Sequence, residues 1–367
     1  MDKIYTHIKA EEKYILQLSA LYERFGYKKY NMRHFEEYSL YAENKNFLVN
    51  DSVITFTDLN GKLMALKPDV TLSIVKHAET NAQQRVYYTE SVYRPDRENT
   101  GFSEITQTGL EHFGNIDDYT LAETVYLAAA SLAMINNKTI LELSHVGFID
   151  SLLADLNLTF EQKDLIKTLI AEKNVHELEK CVDCLGITDS YKTAILAIPF
   201  LNGNSDDVFE KAGKHCINDS MRAALNTLKQ IINTVCNIQD NMNLSVDLSM
   251  YGDSNYYSAI LMAGYVYGLP SKVLSGGQYD RMVSRFGKKF GAVGFAIYIS
   301  EMERVFKNTV TNNKILVKYS ENTDPKRLLA FVAELTKQGK IVYTSKLATV
   351  LNDGFDEIVS FKGDTLC

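Results

Sequence analysis

Gln107 and Glu111 stand four residues apart in a run, residues 103–113, with β-compatible composition and a period of two. Both side chains therefore project from one face of a strand, with Gly109 between them leaving that face open. A carboxylate and an amide that both donates and accepts, set above a residue without a side chain, can hold a small amino-bearing ligand. The same spacing also describes a solvated sheet face that tolerates a glycine. A second group follows Pro68, where Asp69 or Thr71 can cap a helix over residues 71–78 or present a polar group to a ligand; capping is the commoner role at such a junction. Ser275-Gly276-Gly277-Gln278 carries a double glycine, which lets backbone approach a ligand or a neighbouring strand. His145 has no second metal-type ligand nearby, and Cys181 with Cys184 form a lone CxxC in a helical pattern. Zinc needs a second pair and redox chemistry needs a thioredoxin context, so these residues read as structural and no metal is expected.

The elements that must position these groups follow from periodicity. Residues 86–93 alternate and are rich in aromatics, and with residues 103–113 they form an antiparallel hairpin joined by eight mostly polar residues, 94–101. Residues 9–24 carry a helical stripe closed by Gly26. Residues 50–66 read as a meander that turns at Asn60-Gly61. Residues 118–134 form a long apolar-rich helix, followed by strands at 140–147, 244–250 and 258–268. Residues 291–297 read as a last central strand or the small-residue start of a helix. Between about 149 and 239 the pattern changes to short helices with brief links, an inserted helical segment. Residues 313–362 repeat strand, helix, strand, strand, enough for a small α/β appendage.

At 367 residues, 46% hydrophobic and 23% charged, the chain holds one large domain, 1–311, and a smaller one, 312–367. A net charge of -7 and the lack of a basic run with interleaved aromatics argue against nucleic acid as the main partner. Five cysteines in a chain this long do not form a disulfide framework. The start has no apolar core of signal-peptide type, and no stretch of about 18 apolar residues occurs. A cytoplasmic location without membrane contact is expected.

Several segments in order resemble the histidyl-tRNA synthetase family. KPDVT (67–71) resembles its RP[ED]xT segment, and SVYR with GFSEITQTGLEHFG its class II motif 2 hairpin. NYYSAI (255–260) resembles the end of an RGLDYYTG-type element, SGGQYDRM a GGRYDGL-type element, and AVGFAI the start of motif 3. The resemblance implies an α+β, class II aminoacyl-tRNA synthetase-like antiparallel sheet flanked by helices. It also assigns Asp69, Thr71, Gln107, Glu111 and Tyr257 to contact with histidine, and Arg94 to the retained motif 2 arginine. Other cationic positions of the family are neutral or reversed: Glu301 stands at the motif 3 arginine, Gln278 at the GGRYD arginine and Ser103 at the motif 2 loop arginine. No arginine matches in MYGDSNYY. The segment after residue 308 is short for an anticodon-reading domain.

Such a body resembles the regulatory subunits of ATP phosphoribosyltransferase within that family. The resemblance implies a non-catalytic chain with no cofactor and no aminoacylation activity. It implies self-association and a short catalytic partner subunit that condenses ATP with phosphoribosyl pyrophosphate in the first step of histidine biosynthesis. It further implies a hetero-octamer of four plus four and feedback inhibition by L-histidine as effector. The alternative is a divergent histidine-activating ligase or synthetase-like enzyme whose arginines come from elsewhere.

Overall fold

The structure, a computed structural model, describes residues 8–45, 52–78, 83–96, 101–136, 138–238, 242–251, 256–307, 314–347 and 354–361. The chain divides into two compact units, Ile15–Met302 and a second made of Met1–Tyr14 with Glu303–Cys367; the sequence reading drew its boundary at 311.

The larger unit is built on a nine-stranded sheet. From one edge its strands are Lys28–Lys29, Gln84–Pro95, Phe102–Gly114, Gly291–Tyr298, Leu274–Gln278, Ile260–Val266, Thr139–His145, Leu244–Asp247 and Asn202–Gly203. The six strands from Gln84–Pro95 to Thr139–His145 run antiparallel to their neighbours. Two pairings are parallel, one at Lys28–Lys29 and one between Thr139–His145 and Leu244–Asp247. The hairpin predicted around the polar loop is the longest feature of this sheet, twelve residues paired from Gln84↔Phe113 to Pro95↔Phe102; positions 97–100 of its loop lie outside the described residues. Gly291–Tyr298, for which the sequence allowed a strand or a helix start, is a strand in the middle of the sheet. Its small residues are what the register requires. Gly294 pairs with Glu111, and a Cβ there would lie 1.8 Å from the Glu111 Oε2.

Helices cover the sheet. Asp118–Ala133 is capped by the Asp117 side chain, which accepts from the Thr120 amide. His145 is structural: its Nδ1 accepts from the Gly147 amide at 3.1 Å and caps Val146–Ala154. Within residues 149–239 lie Phe160–Ala171, Val175–Cys184, Asp189–Ala197, Ser205–Lys214 and Asp219–Cys236. The last of these packs on Val146–Ala154 and Asp118–Ala133. The smaller unit has a parallel three-stranded sheet, Ile341–Lys346 beside Lys314–Tyr319 beside Glu357–Ser360. Helix Pro325–Lys337 lays Leu328, Phe331 and Leu335 against Ile315, Val317 and Val359.

Pro68 sits in a short link that carries Asp69 towards the hairpin, and one buried ion pair fixes that link. The Lys67 ammonium is wholly buried and lies 2.5 Å from Glu90 Oε2, on the first hairpin strand. Glu90 Oε1 accepts from the Met32 amide at 3.1 Å. Backbone bonds from Tyr93 to the Lys67 carbonyl and from Lys67 to the His34 carbonyl complete the hold. Removing one member of a buried pair leaves an uncompensated charge. Glu90→Ala is expected to lower unfolding stability by about 3–5 kcal/mol, read from urea denaturation at pH 7. A loss below 1 kcal/mol would show that the pair does not anchor this link.

Candidate functional site

The hairpin, the Pro68 link and the strands at 274–278 and 291–298 enclose a cavity of about 1030 Å³. Its floor is a carboxyl group. Glu111 is 2% exposed; its Oε1 takes a hydrogen bond from Thr71 Oγ1 at 2.8 Å and its Oε2 one from the Tyr279 hydroxyl. Burial pushes the Glu111 carboxyl up to about 8 against these two hydroxyls, with the nearby Asp69 charge adding to the rise. Asp69 does two jobs. Its Oδ1 accepts from the Leu72 amide at 2.9 Å, starting helix Thr71–His77, while its Oδ2 faces the Arg94 guanidinium at 3.6 Å. Burial raises the Asp69 carboxyl above its usual range, and the Arg94 charge opposes that. Arg94 is held in turn by Nε donating to the Pro68 carbonyl at 2.8 Å.

Beside Glu111, Gln107 is 3% exposed, lines the cavity, and its Nε2 finds no acceptor among the described residues. A buried donor without a partner costs about 1–3 kcal/mol, a cost that an acceptor brought by a ligand would remove. Gly109 does not leave the face open as the sequence reading expected. The space a side chain would fill is taken by the Phe295 carbonyl, 2.2 Å from an added Cβ, and by the Tyr88 hydroxyl at 2.9 Å. Tyr88 is fully buried and its hydroxyl also lacks a partner among the described residues. Gly277 makes room for Tyr257: an added Cβ would sit 2.8 Å from its ring. The rings of Tyr257, Tyr256 and Tyr279 pack in series at 4.7 and 5.8 Å. Asn255 and the rest of residues 252–255 lie outside the described residues.

The structure thus brings Asp69, Thr71, Gln107, Glu111, Tyr257 and Arg94 onto one cavity wall, with Ser103 and Glu301. Gln278 is not on that wall; its amide donates to Asp280 Oδ2 at 2.6 Å. Tyr279, Tyr256 and Tyr88 were not singled out from the sequence. The usable signal was the pairing of Tyr88 opposite Gly109, which only the hairpin register reveals. No group of three or more metal-type ligands occurs among the described residues.

Residues 3–302 match the sequence profile of the family described as histidyl-tRNA synthetase. The chain is 30% identical over 292 residues to an ATP phosphoribosyltransferase regulatory subunit from Acetivibrio thermocellus, covering 77% of this chain and 69% of the relative. The chain belongs to the histidyl-tRNA synthetase family, among its ATP phosphoribosyltransferase regulatory subunits. Solved structures share the fold. A protein described as an ATP phosphoribosyltransferase regulatory subunit/histidyl-tRNA synthetase from Bacillus halodurans superposes with a TM-score of 0.77 at 20% identity, over 95% of this chain and 93% of that one. A chain of an ATP phosphoribosyl transferase (HisG:HisZ) complex from Thermotoga maritima does so with a TM-score of 0.62 at 16% identity, over 79% and 97%.

Around Glu111 the cavity gathers a dense set of hydroxyl, amide and carboxyl groups. Among the described residues Asp69, Asp96, Glu104, Glu111 and Glu301 line it together with the cations Arg94 and Lys272. At an effective dielectric constant near 20, one unit charge 4 Å from another is worth roughly 4 kcal/mol, so the exposed Glu301 would repel a phosphate brought to that distance.

The Glu111 proton supplies a test of the floor. An unfolded glutamate releases its proton near 4.5, whereas the folded chain holds it up to about 8. The folded state binds more protons across that window, so the stability this group confers is complete below the lower value. It is lost as pH rises through the upper one. Glu111→Gln is expected to flatten the fall in urea stability between pH 5 and pH 9 by a few kcal/mol. Identical profiles for both proteins would mean that Glu111 is ionised in the folded state.

Proposed function

We propose that this chain is a non-catalytic regulatory subunit that binds a short ATP phosphoribosyltransferase catalytic subunit, supports its activity in the first step of histidine biosynthesis, and carries feedback inhibition by free L-histidine. What supports this reading is a cavity whose lining joins Glu111, Thr71, Gln107 and Tyr257 to Asp96, Glu104 and Glu301, with Glu301 at the position that the resemblance matches to a family arginine. Asp69 and Glu111 supply acceptors for an ammonium or an imidazole N–H, and charge-assisted bonds of this kind are about twice as strong as neutral ones. Arg94 and the unpartnered Gln107 amide are donors suited to a carboxylate, and Tyr257 supplies an aromatic wall. Activation of an amino acid on ATP would instead need cations arranged around the transferring phosphates. The names of its relatives and of the Thermotoga maritima complex support a transferase subunit as partner, and a four-plus-four assembly is part of the proposal.

Feedback requires histidine to bind the less active state more tightly than the active one, since equal affinity shifts nothing. A 100-fold effect needs about 2.7 kcal/mol of differential binding. The ligase reading draws on Arg94, which stands on the cavity wall as a synthetase would need it. The two are separated by assays on the purified chain with and without a short transferase subunit. We expect transferase activity only in the mixture, inhibition by histidine, and no histidine-dependent exchange of pyrophosphate into ATP. Glu111→Ala is expected to raise the histidine concentration for half-inhibition by roughly 10–100-fold, the worth of one charge-assisted bond. Robust pyrophosphate exchange by the chain alone would establish the ligase instead.

A further inference from the structure

One bulky ring lies on a stretch of cavity floor that is otherwise paved with small residues. Along strand Gly291–Tyr298, Val293, Phe295 and Ile297 are buried in the core, with the Phe295 ring against Tyr22. Gly294, Ala296 and Tyr298 therefore turn to the opposite face, where all three line the cavity. Gly294 pairs with Glu111, Ala296 with Gly109, and Tyr298 with Gln107. On the other side of the strand, Gly294 pairs with Gly277 and Ala296 with Ser275. Two rows of the floor thus carry small residues at their centre, and Tyr298 stands in the third.

The ring is tethered. The Tyr298 hydroxyl shares a hydrogen bond with Ser275 Oγ at 2.8 Å, and Ser275 pairs with Ala296, two positions back along the strand. To reach it the half-buried side chain must lean along the sheet, beside Ala296. The Tyr298 backbone is pinned as well, its amide donating to the Val273 carbonyl at 2.8 Å. Ser275 also serves Tyr257: burial raises the Tyr257 hydroxyl above its usual range, and a hydrogen bond from Ser275 opposes that rise. Beyond Tyr298 the chain turns through Ile299–Met302, where Ser300 Oγ accepts from the Thr106 amide at 3.0 Å. Tyr298 consequently lies between the row of Glu111 and Gly294 and the turn that carries Ser300 and Glu301, both of which line the cavity. Opposed side chains on neighbouring strands have Cβ atoms about 4.5–5.5 Å apart, so a group received by the unpartnered Gln107 amide sits beside this ring.

We propose that Tyr298, held by Ser275, is a specificity-determining residue that limits the length of the cavity's ligand: a free α-amino acid fits, and the same amino acid extended through its carboxyl group, as a substituted amide, an ester or an adenylate, is excluded. A carboxylate held by Gln107 and Arg94 has its oxygens next to the ring, and an atom attached there meets Tyr298. Such a limit suits a sensor of free amino acid and obstructs a site that must also hold an activated one. The limit on ligand length rests on the functional reading above, whereas the cover that the ring gives the floor does not.

Two measurements keep these apart. The first is calorimetric titration of the full chain, wild type, Tyr298→Ala and Tyr298→Phe, with L-histidine, L-histidinamide and L-histidine benzylamide. The two amides carry the same charge, so the ratio of their affinities reads size alone. The wild-type chain is expected to bind the benzylamide about 100-fold more weakly than the amide, as an overfilled site would. Tyr298→Ala is expected to bring the ratio within about 3-fold, and Tyr298→Phe, which keeps the ring but frees it from Ser275, to roughly 10–30-fold. The second needs no ligand. Ala296→Cys, alone and combined with Tyr298→Ala, is treated with N-benzylmaleimide, and modification of the peptide that holds position 296 is followed by mass spectrometry. Because thiol reactivity depends on access, loss of the ring is expected to speed that modification about 10-fold. Equal affinity of the wild type for both amides, or a ratio that survives in Tyr298→Ala, overturns the limit on length. Equal labelling with and without the ring overturns the cover. Faster labelling without the ring, together with no binding of L-histidine by the wild type, leaves the cover standing and removes the histidine reading instead.

Discussion

A carboxyl group buried in the middle of a sheet constrains everything around it. Glu111 is almost inaccessible, yet it sits on a central strand where an uncompensated charge would be costly. The sheet meets that demand locally. Gly294 removes the side chain that would collide with it, Thr71 and Tyr279 direct hydroxyls at its two oxygens, and burial pushes its carboxyl up to about 8. Each of these partners is placed by a different element. Thr71 depends on the Pro68 link and hence on the buried Lys67–Glu90 pair, and Tyr279 on the strand that ends at Gln278. Loosening any of them would expose or strand the same carboxyl.

How much of this was legible in the sequence depended on range. The hairpin, the asparagine–glycine turn and the strand–helix–strand order of the smaller unit declare themselves within a dozen residues, because periodicity and turn chemistry are local. The turn repeats the local rule in three dimensions, with Gly61 at φ +80° and Asp58 accepting from the Asn60 and Lys62 amides. The sequence left Asp69 or Thr71 to bond the start of that helix, and Asp69 does so by accepting from the Leu72 amide. The ring of tyrosines was not legible. Tyr88 meets Gly109 only through the hairpin register, and Tyr279 meets Glu111 across 168 positions of chain. Gly109 was read as an opening because a missing side chain looks like space from the sequence alone; in the fold that space is claimed by a neighbouring strand and a tyrosine. Gln278 was matched by resemblance to a family arginine position, and the bond its amide makes to Asp280 is a contact that only the fold reveals.

The strand Gly291–Tyr298 shows why local signals can leave two answers open. Its glycines and alanines are poor strand formers and equally suit the start of a tightly packed helix. Only the demand from its neighbour resolves the matter. The strand Phe102–Gly114 carries a bulky acid at the position paired with Gly294, and the other neighbour brings Gly276 so close that an added Cβ would lie 2.3 Å from the Gly294 carbonyl. Small residues at this point are the condition for three strands to close around a buried acid.

That geometry bears on the kind of work the cavity can do. An enzyme gains rate only from interactions that are stronger in the transition state than in the ground state, and for phosphate chemistry those interactions are made by cations at the far end of the site. Here the described lining carries Asp69, Asp96, Glu104 and Glu301 beside the cations Arg94 and Lys272. A ligand seated on Glu111 would therefore form its bonds in the ground state and retain them. Binding free energy that drives no chemistry remains available to favour one arrangement of the surrounding elements over another, provided the wall that closes on the ligand is mechanically joined to something outside the cavity. On the proposed reading, an acidic lining beside a buried polar floor favours sensing over turnover.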